Sequence, residues 1–519
     1  MTKDELAQEA AQMPWLAVTG RVADWLRDPE GRLPVSCTVR AVEPWWPDVL
    51  ESLVFTSRAL RHGAGVAINL EQVVAGRLIP PSPYSVVVGP GEDSLPVADS
   101  MERVENGIPI ESSWRLVGLL AQYQDVRVDL SRLRPAGTVN SKGLVASGPE
   151  SFAQIYRALG RYLNQPSLAH LLQVYSEING VLRRGGIYKN GAITVHLSWD
   201  HPEVEEFLRL DPAATPWIKR ALTVTPEVLG SPRLDLILSR VGDGTLWLGK
   251  PLYDNGERLY LNVCMEIYLP NRGTCLLSHL NLGRLSPVEI PDAYVRAMDW
   301  LCRLHSVTGV ESLYLPPQQD RQVGLGLLGL GSHLAIHGIS YAALTHALEA
   351  VADGRQPVGA GAPLAQALAQ GIQRAAQVAR QYGMRRAFTV APTASTAYRY
   401  TDAEGWTTTP EISPPLAAAV ERESETFGVR FYDHHPRVEV AGQDVDWETY
   451  YRLCCALQRL YNATGLAHSI SMNLWSPGAR CDRAWLEHWL GSPLRSTYYR
   501  LPVGQVLAKD QVFCPACAE

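Results

Sequence analysis

An α/β fold with a largely parallel sheet is what this sequence predicts, on two observations. Apolar, strand-like runs alternate with helical patterns along the chain, which favours parallel strands joined by helical crossovers. Hydrophobic residues make up 46% and charged residues 19% of 519 residues, enough apolar side chain for a large core in one domain or several. No short fixed period repeats along the chain.

The elements follow in order. Residues 1 to about 35 read as a short helical lead-in that ends at "DPEGRLP". From 45 to 70 a helical pattern runs into "HGAGVAINL", a glycine turn feeding an apolar strand. Residues 74 to 112 are rich in Pro, Gly and Ser and read as a loop-dominated insertion. A helix, "SSWRLVGLLAQY", follows, then a strand and turn, "VRVDLSRLRPAG". Helices cover roughly 151 to 182, and "RRGGIYKNGA" is a basic glycine-rich loop before the strand "ITVHLSW". Beyond 285 helices dominate, broken by "FTVAPTAST", a strand, turn and helix start. After Pro502 periodicity is lost and the chain ends in "FCPACAE".

The net charge of −6 argues against nucleic-acid binding through bulk charge, though not against a phosphorylated ligand in a local pocket. No apolar run approaches a membrane span, and "MTKDELAQEAAQMPWL" is an acidic, helix-like segment rather than a signal peptide. The expectation is a cytoplasmic protein. Its nine cysteines are odd in number and scattered, which argues against a disulfide framework. Those that matter should be catalytic, redox-cycling or metal-binding.

The sharpest question lies in "LYLNVCMEIYLP", residues 259 to 270, where Asn262, Cys264 and Glu266 alternate with apolar residues. On an extended chain these three side chains share one face, and an amide, a thiol and a base together suit a reaction centre. A half-buried strand with a polar outer face is the competing reading, since short alternations are common.

Other motifs carry a similar pair of readings. The dithiol "CPAC", Cys514 and Cys517, can close a disulfide or supply half of a zinc site. Zinc would need a second pair, and Cys454, Cys455 and Cys481 do not form another C-x-x-C. "GLGLLGLG", 324 to 331, contains G-x-G-x-x-G, but its lead-in "PPQQDRQV" is no apolar strand. The dinucleotide reading is rejected in favour of glycines that allow close helix packing. "APTAST", 391 to 396, offers backbone N–H groups with Thr393, Ser395 and Thr396 as a phosphate cradle, or an ordinary helix cap. "STYYR" sets Tyr498 beside Tyr499, usually a sign of packing. Residues 183 to 192 suit a loop on an anionic ligand or a solvated turn, and Cys454 and Cys455 read as buried core thiols.

Taken in order, "PVSC", "AGVAIN", "SGPESF", "RRGGIYKNGA…DHPEVEEFL", "NVCMEI", "TCLLSHLNLG", "RQVGLGLLGLG", "APTAST" and "STYYR" before a cysteine tail resemble the catalytic subunit of ribonucleotide reductase from residue 34 to 519. The resemblance implies a ten-stranded α/β barrel of two five-stranded halves, with a central finger loop carrying the radical cysteine. It implies a catalytic barrel over 36–502 with an insertion at about 71–131, and a flexible redox tail over 503–519. Cys264 matches the thiyl position, Asn262 and Glu266 the residues that hold the ribose, and Cys37 and Cys275 the reducing pair. That pairing requires Cα atoms within roughly 7 Å across a long sequence gap. Cys514 and Cys517 match tail thiols that re-reduce the pair and are served by a thioredoxin- or glutaredoxin-like protein. Ser36, Ala64, Gly65, Thr393, Ala394, Ser395 and Thr396 match the substrate phosphate site. Arg183, Arg184, Gly185, Gly186, Lys189 and Asn190 match the loop that reads a dNTP or ATP specificity effector.

Within the family, Tyr498 and Tyr499 match the class I tyrosine pair, and "NVCMEI" is nearer class I than "NPCGE" of class II. The implied radical source is the metal cofactor of a separate small (beta) subunit, with no metal or tightly bound cofactor in this chain and ribonucleoside diphosphates as substrates. The insertion and the short C-x-x-C tail resemble monomeric class II enzymes, so adenosylcobalamin is the alternative. The 36 residues before Cys37 are too few for an N-terminal ATP-binding domain, so shutdown by dATP through such a domain is not expected. A different class of reading is a non-radical thiol oxidoreductase or zinc protein using the tail dithiol alone. It requires that Cys264→Ser leave activity intact.

Overall fold

Apolar, β-branched runs buried on both faces become the parallel strands of this protein. The computed structural model describes residues 2–27, 34–99, 107–139, 145–184, 191–307, 313–424 and 428–504. Among them, the strands of two main sheets are, in chain order, β1 (Leu16–Val18), β2 (Cys37–Ala41), β3 (Gly65–Asn69), β4 (Ile193–Ser198), β5 (Lys219–Thr223), β6 (Trp247–Gly249), β7 (Thr274–Cys275), β8 (Leu277–Asn281), β9 (Gln322–Leu328), β10 (Arg386–Val390) and β11 (Ala467–Ile470). One sheet has the order β6-β5-β4-β3-β2-β7, the other β1-β8-β9-β10-β11. All neighbours are parallel except β7 on β2 and β1 on β8.

The expected halves are therefore a six- and a five-stranded sheet, and no closed sheet is seen among the described residues. The difference has a local cause. The run Thr274–Asn281 serves both sheets: β7 pairs with β2, the Leu276 carbonyl accepts from Gly324 N–H at 2.9 Å, and β8 pairs with β9. At the other seam, Ser496 bridges to Gly249 of β6. Its hydroxyl meets that of Ser469 on β11 at 2.7 Å.

The lead-in is not helix alone. Helices Lys3–Ala11 and Gly20–Arg27 flank β1, which supplies an edge strand to the second sheet. The insertion holds more strand than its composition suggests: Val86–Val88, Leu95–Ala98, Ile108–Pro109 and Val126–Asp129 form a small parallel sheet. Its helix Ile110–Leu120 docks where Trp46 Nε1–H donates to the Gly118 carbonyl at 2.9 Å and buried Glu111 meets Arg58 and Arg61.

Of the glycines of "GLGLLGLG", Gly324 and Gly326 lie inside β9, Gly329 is in the turn that follows and Gly331 is in the helix Leu330–His337. A Cβ on Gly324 would meet Leu277, Ile267 and Thr389 at 2.4, 2.7 and 2.9 Å. The two strand glycines admit close approach of neighbouring strands and of the segment carrying Glu266. A dinucleotide fingerprint places its first two glycines in the turn after the strand; here Gly324 and Gly326 lie within the strand itself, and the strand that the lead-in did not announce begins at Gln322. Cys454 is buried in the helix Trp447–Ala463 as expected, with Cys455 half-buried. No helix among the described residues is long and apolar enough to cross a membrane.

Candidate active site

The stretch that posed the question is a hairpin tip. Glu257–Leu261 pairs antiparallel with Tyr268–Leu269, and Asn262 N–H closes the turn on the Ile267 carbonyl at 2.9 Å. The extended alternation read from the sequence is replaced by a turn. Met265 takes φ 67°, a left-handed conformation costing a non-glycine residue roughly 1–2 kcal/mol. Asn262 braces this tip: its Oδ1 accepts from Glu266 N–H at 3.0 Å and Ile267 N–H at 3.2 Å. Its Nδ2 donates to Glu266 Oε1 at 2.8 Å.

A hairpin tip inserted among strands has carbonyls that no ladder satisfies, and buried polar groups need partners. Side-chain hydroxyls from the surrounding strands supply them. Thr194 donates to Val263 O at 3.0 Å, Ser471 to Cys264 O at 2.8 Å and Ser496 to Met265 O. Thr389 donates to Glu266 O at 3.0 Å, joined there by Ser469 N–H at 2.9 Å. Sequence reasoning missed all five. The alternating serines of "SISMN" were the available signal, but they acquire meaning only once the tip is placed beside them.

Cys37 and Cys275 are direct register partners of β2 and β7. Antiparallel partners have Cα atoms about 4.5–5.5 Å apart, inside the span of a disulfide; both are free thiols here. Asn262 Nδ2 also reaches Cys275 Sγ at 3.7 Å. Cys37 is in hydrogen-bonding contact with both Cys275 and Cys264. The contact with Cys37, then burial and Glu266, hold the Cys264 thiol above its ordinary range. Burial does the same for Cys275. In Cys37 the contact with Cys264 works the other way and is outweighed by Cys275 and burial, so its value is raised as well. All three sulfurs are therefore protonated at neutral pH.

Glu266 is 1% exposed, and its Oε2 has no hydrogen-bond partner among the described residues. Burial pushes its carboxyl up to about 7 against the lowering pull of Asn262.

On the other side, Tyr498 is in hydrogen-bonding contact with Cys264. Its ring packs on Tyr499 with centroids 4.3 Å apart. The pair is threaded into the seam between the sheets: Tyr498 N–H donates to Met472 O at 2.8 Å and Leu474 N–H to Tyr499 O at 2.7 Å. Trp247 of β6, unremarked in the sequence, touches both rings at 4.6 and 5.1 Å.

The residues matched to a phosphate site lie nearby in part. Gly65 N–H donates to Ser36 O at 2.9 Å, Ala64 is buried one residue before, and a Cβ on Gly65 would meet Val263 of the finger at 3.1 Å. Ala391 joins Cys37, Cys275 and Val263 in one apolar cluster. "APTAST" begins a helix of only four residues, Ala394–Ala397, which includes Ser395 and Thr396. The Thr393 hydroxyl is already engaged, accepting from Glu411 N–H at 2.7 Å. Arg183 and Arg184 end the helix Leu168–Arg184. Gly185, Gly186, Lys189, Asn190, Cys514 and Cys517 lie outside the described residues.

Comparison with known proteins relates this fold and this sequence to ribonucleotide reductase catalytic subunits. The class Id ribonucleotide reductase alpha subunit of Actinobacillus ureae superposes with a TM-score of 0.52 over 95% of this chain and 88% of its own, at 13% identity. In sequence, the chain is 26% identical over 300 residues to the vitamin B12-dependent ribonucleoside-diphosphate reductase of Mycobacterium tuberculosis, from two strains. That match covers 48% of this chain and 39% or 38% of the relatives, so it spans well under half their length. No family model matches.

Proposed function

We propose that this chain reduces ribonucleotides to 2′-deoxyribonucleotides by thiyl-radical chemistry at Cys264. One observation carries the reading: an unbroken series of contacts runs from Tyr499 through Tyr498, Cys264, Cys37 and Cys275 to Asn262 and Glu266. It joins a redox-active aromatic pair, a radical-bearing sulfur, a dithiol and a base.

In this mechanism the Cys264 thiyl takes the 3′-hydrogen of the ribose while Glu266 accepts the 3′-hydroxyl proton. A carboxyl held near neutrality by burial suits that exchange. The 2′-hydroxyl leaves as water with one proton from the dithiol. The second proton and the two electrons of the dithiol pass to the substrate, giving the new C2′–H bond as the Cys37–Cys275 disulfide forms, and Glu266 returns its proton to the 3′-oxygen. Cys264 then returns its hydrogen to C3′. Ser36, Ala64, Gly65 and the turn at Thr393–Thr396 would line the phosphate side, and 183–190 would carry the effector loop. Cys514 and Cys517 would reopen the disulfide and be re-reduced by an external dithiol protein. The strands of the two sheets other than β1, ten in all, would make up one barrel over 36–502.

The radical source is read as the metal cofactor of a separate small subunit, because Tyr498 and Tyr499 form a ring-to-ring path to Cys264. The fold-level likeness to a class Id alpha subunit supports that reading. The names of the sequence relatives support diphosphate substrates and favour a second source, adenosylcobalamin. Nucleotide reduction by the purified chain with dithiothreitol, with and without adenosylcobalamin or a metal-loaded small subunit, separates the two. Turnover with cobalamin alone makes it class II and reduces the tyrosine pair to packing. Turnover only with the second subunit, lost in Tyr498→Phe or Tyr499→Phe, makes it class I. Activity that survives Cys264→Ser would overturn radical chemistry altogether.

A further inference from the structure

Cys275 sits on a short edge strand, where its carbonyl accepts from Ser36 N–H at 2.9 Å and the neighbouring Gly273 carbonyl from the Thr38 hydroxyl at 2.7 Å. β7 is two residues long and lies at the edge of its sheet, yet its sulfur must meet Cys37 on every cycle. A further hold comes from the opposite face. Asp320, 1% exposed, uses one oxygen, Oδ2, to accept from Thr274 N–H at 2.7 Å and from Thr274 Oγ1–H at 2.6 Å. Successive strand side chains point to opposite faces, so Thr274 is gripped behind the sheet while Cys275 faces its partner. Asp320 is held in turn, its N–H donating to Pro316 O at 2.9 Å, and Leu315 N–H donates to Arg272 O at 3.0 Å.

Nothing in the chemistry above uses this carboxyl, and no cation among the described residues pairs with it. Its Oδ1 has no partner among the described residues, and burial pushes it up to about 7. A neutral acid with its carbonyl oxygen on Thr274 fits both facts.

We propose that Asp320 is a positioning residue for the Cys37–Cys275 pair, pinning the strand that carries Cys275 so that the two sulfurs stay within bonding reach through oxidation and reduction. This rests on the assignment of Cys37 and Cys275 as the reducing pair. Held thiols have a high effective concentration toward one another, and loosening one lowers it. Without the anchor the disulfide should therefore be less favoured.

The test is the thiol–disulfide equilibrium of Cys37 and Cys275 in the full chain, with the tail cysteines changed to Ser. The chain is poised in dithiothreitol mixtures, and the pair is read by differential alkylation and peptide mass. Asp320→Ala should shift the equilibrium toward the dithiol by about tenfold. Asp320→Asn, isosteric with the neutral acid and able to accept the same two bonds, should stay within about twofold of the parent. Thr274→Val, which keeps the N–H bond and loses the hydroxyl bond, should fall between them and carries the test if Asp320→Ala does not fold. An unshifted equilibrium in a folded Asp320→Ala or Thr274→Val chain would overturn the proposal. So would an Asn variant as defective as Ala, because that would implicate the proton and not the anchor. Failure of the parent pair to form a disulfide at all would instead overturn the reducing-pair assignment and this inference with it.

Discussion

Glu266 has two jobs that pull stability and activity in opposite directions with pH. Its ordinary value is 4.5 and its buried value about 7. Below about 4.5 it is protonated both folded and unfolded; as pH rises through 7 the folded chain must ionise a buried group. Its contribution to stability is therefore present in acid and lost through neutrality, and Asp320 adds the same trend. Melting temperature should decline between about pH 5 and 8, less steeply in Glu266→Gln. In the proposed mechanism the base form is the active one, so kcat/KM should rise with pH through about 7. A flat profile would remove Glu266 as the base. At this scale the sequence was informative for Asn262, Cys264 and Glu266, because three chemically distinct polar groups stood in an apolar run. It was silent on Asp320 and Trp247, single residues whose partners Thr274, Tyr498 and Tyr499 are set by folding.

The hairpin tip shows what an element requires from its surroundings. Its turn is intrinsically costly at Met265 and is stabilised by hydroxyls on β4, β10 and the segments after β11 and before Tyr498. Removing one leaves a buried carbonyl without its partner, at about 1–3 kcal/mol. Ser471→Ala, which removes the hydroxyl that donates to the Cys264 carbonyl, should lower stability by that amount, measured by denaturant unfolding, and should lower kcat more than it raises KM, since the thiol on that residue is displaced. Gly324→Ala tests the other side of the same fit. A methyl pressed against Leu277, Ile267 and Thr389 should destabilise by about 1–3 kcal/mol through overpacking. Period and breaker residues made most helices and parallel strands legible. They could not reveal the short strands of the insertion, because Pro- and Gly-rich segments carry no period even where Val86–Val88 and Leu95–Ala98 pair.

Across the whole molecule, the proposed mechanism keeps the chemistry at Cys264 and the supply of reductant by Cys514 and Cys517 as separate functions. Replacing Cys514 and Cys517 by Ser should leave a single turnover intact in a pre-reduced chain. Continued turnover with a protein dithiol should fall by at least about tenfold, while dithiothreitol restores it by reaching Cys37 and Cys275 directly. Equal loss with both reductants would place the tail thiols elsewhere in the mechanism. The arrangement of the sheets was only partly readable, since no local pattern announces that Thr274–Asn281 serves two of them. That run makes the molecule intolerant of a particular kind of change. Side chains alternate with a period of two, so a single residue inserted at Leu276 would rotate everything on one side of it by half a turn. Either Cys275 would swing away from Cys37 and into the layer behind, or Leu277–Asn281 would present its inner face outward. Drift in chain length can be absorbed in the surface connections, but here the distance along the backbone is itself a catalytic dimension.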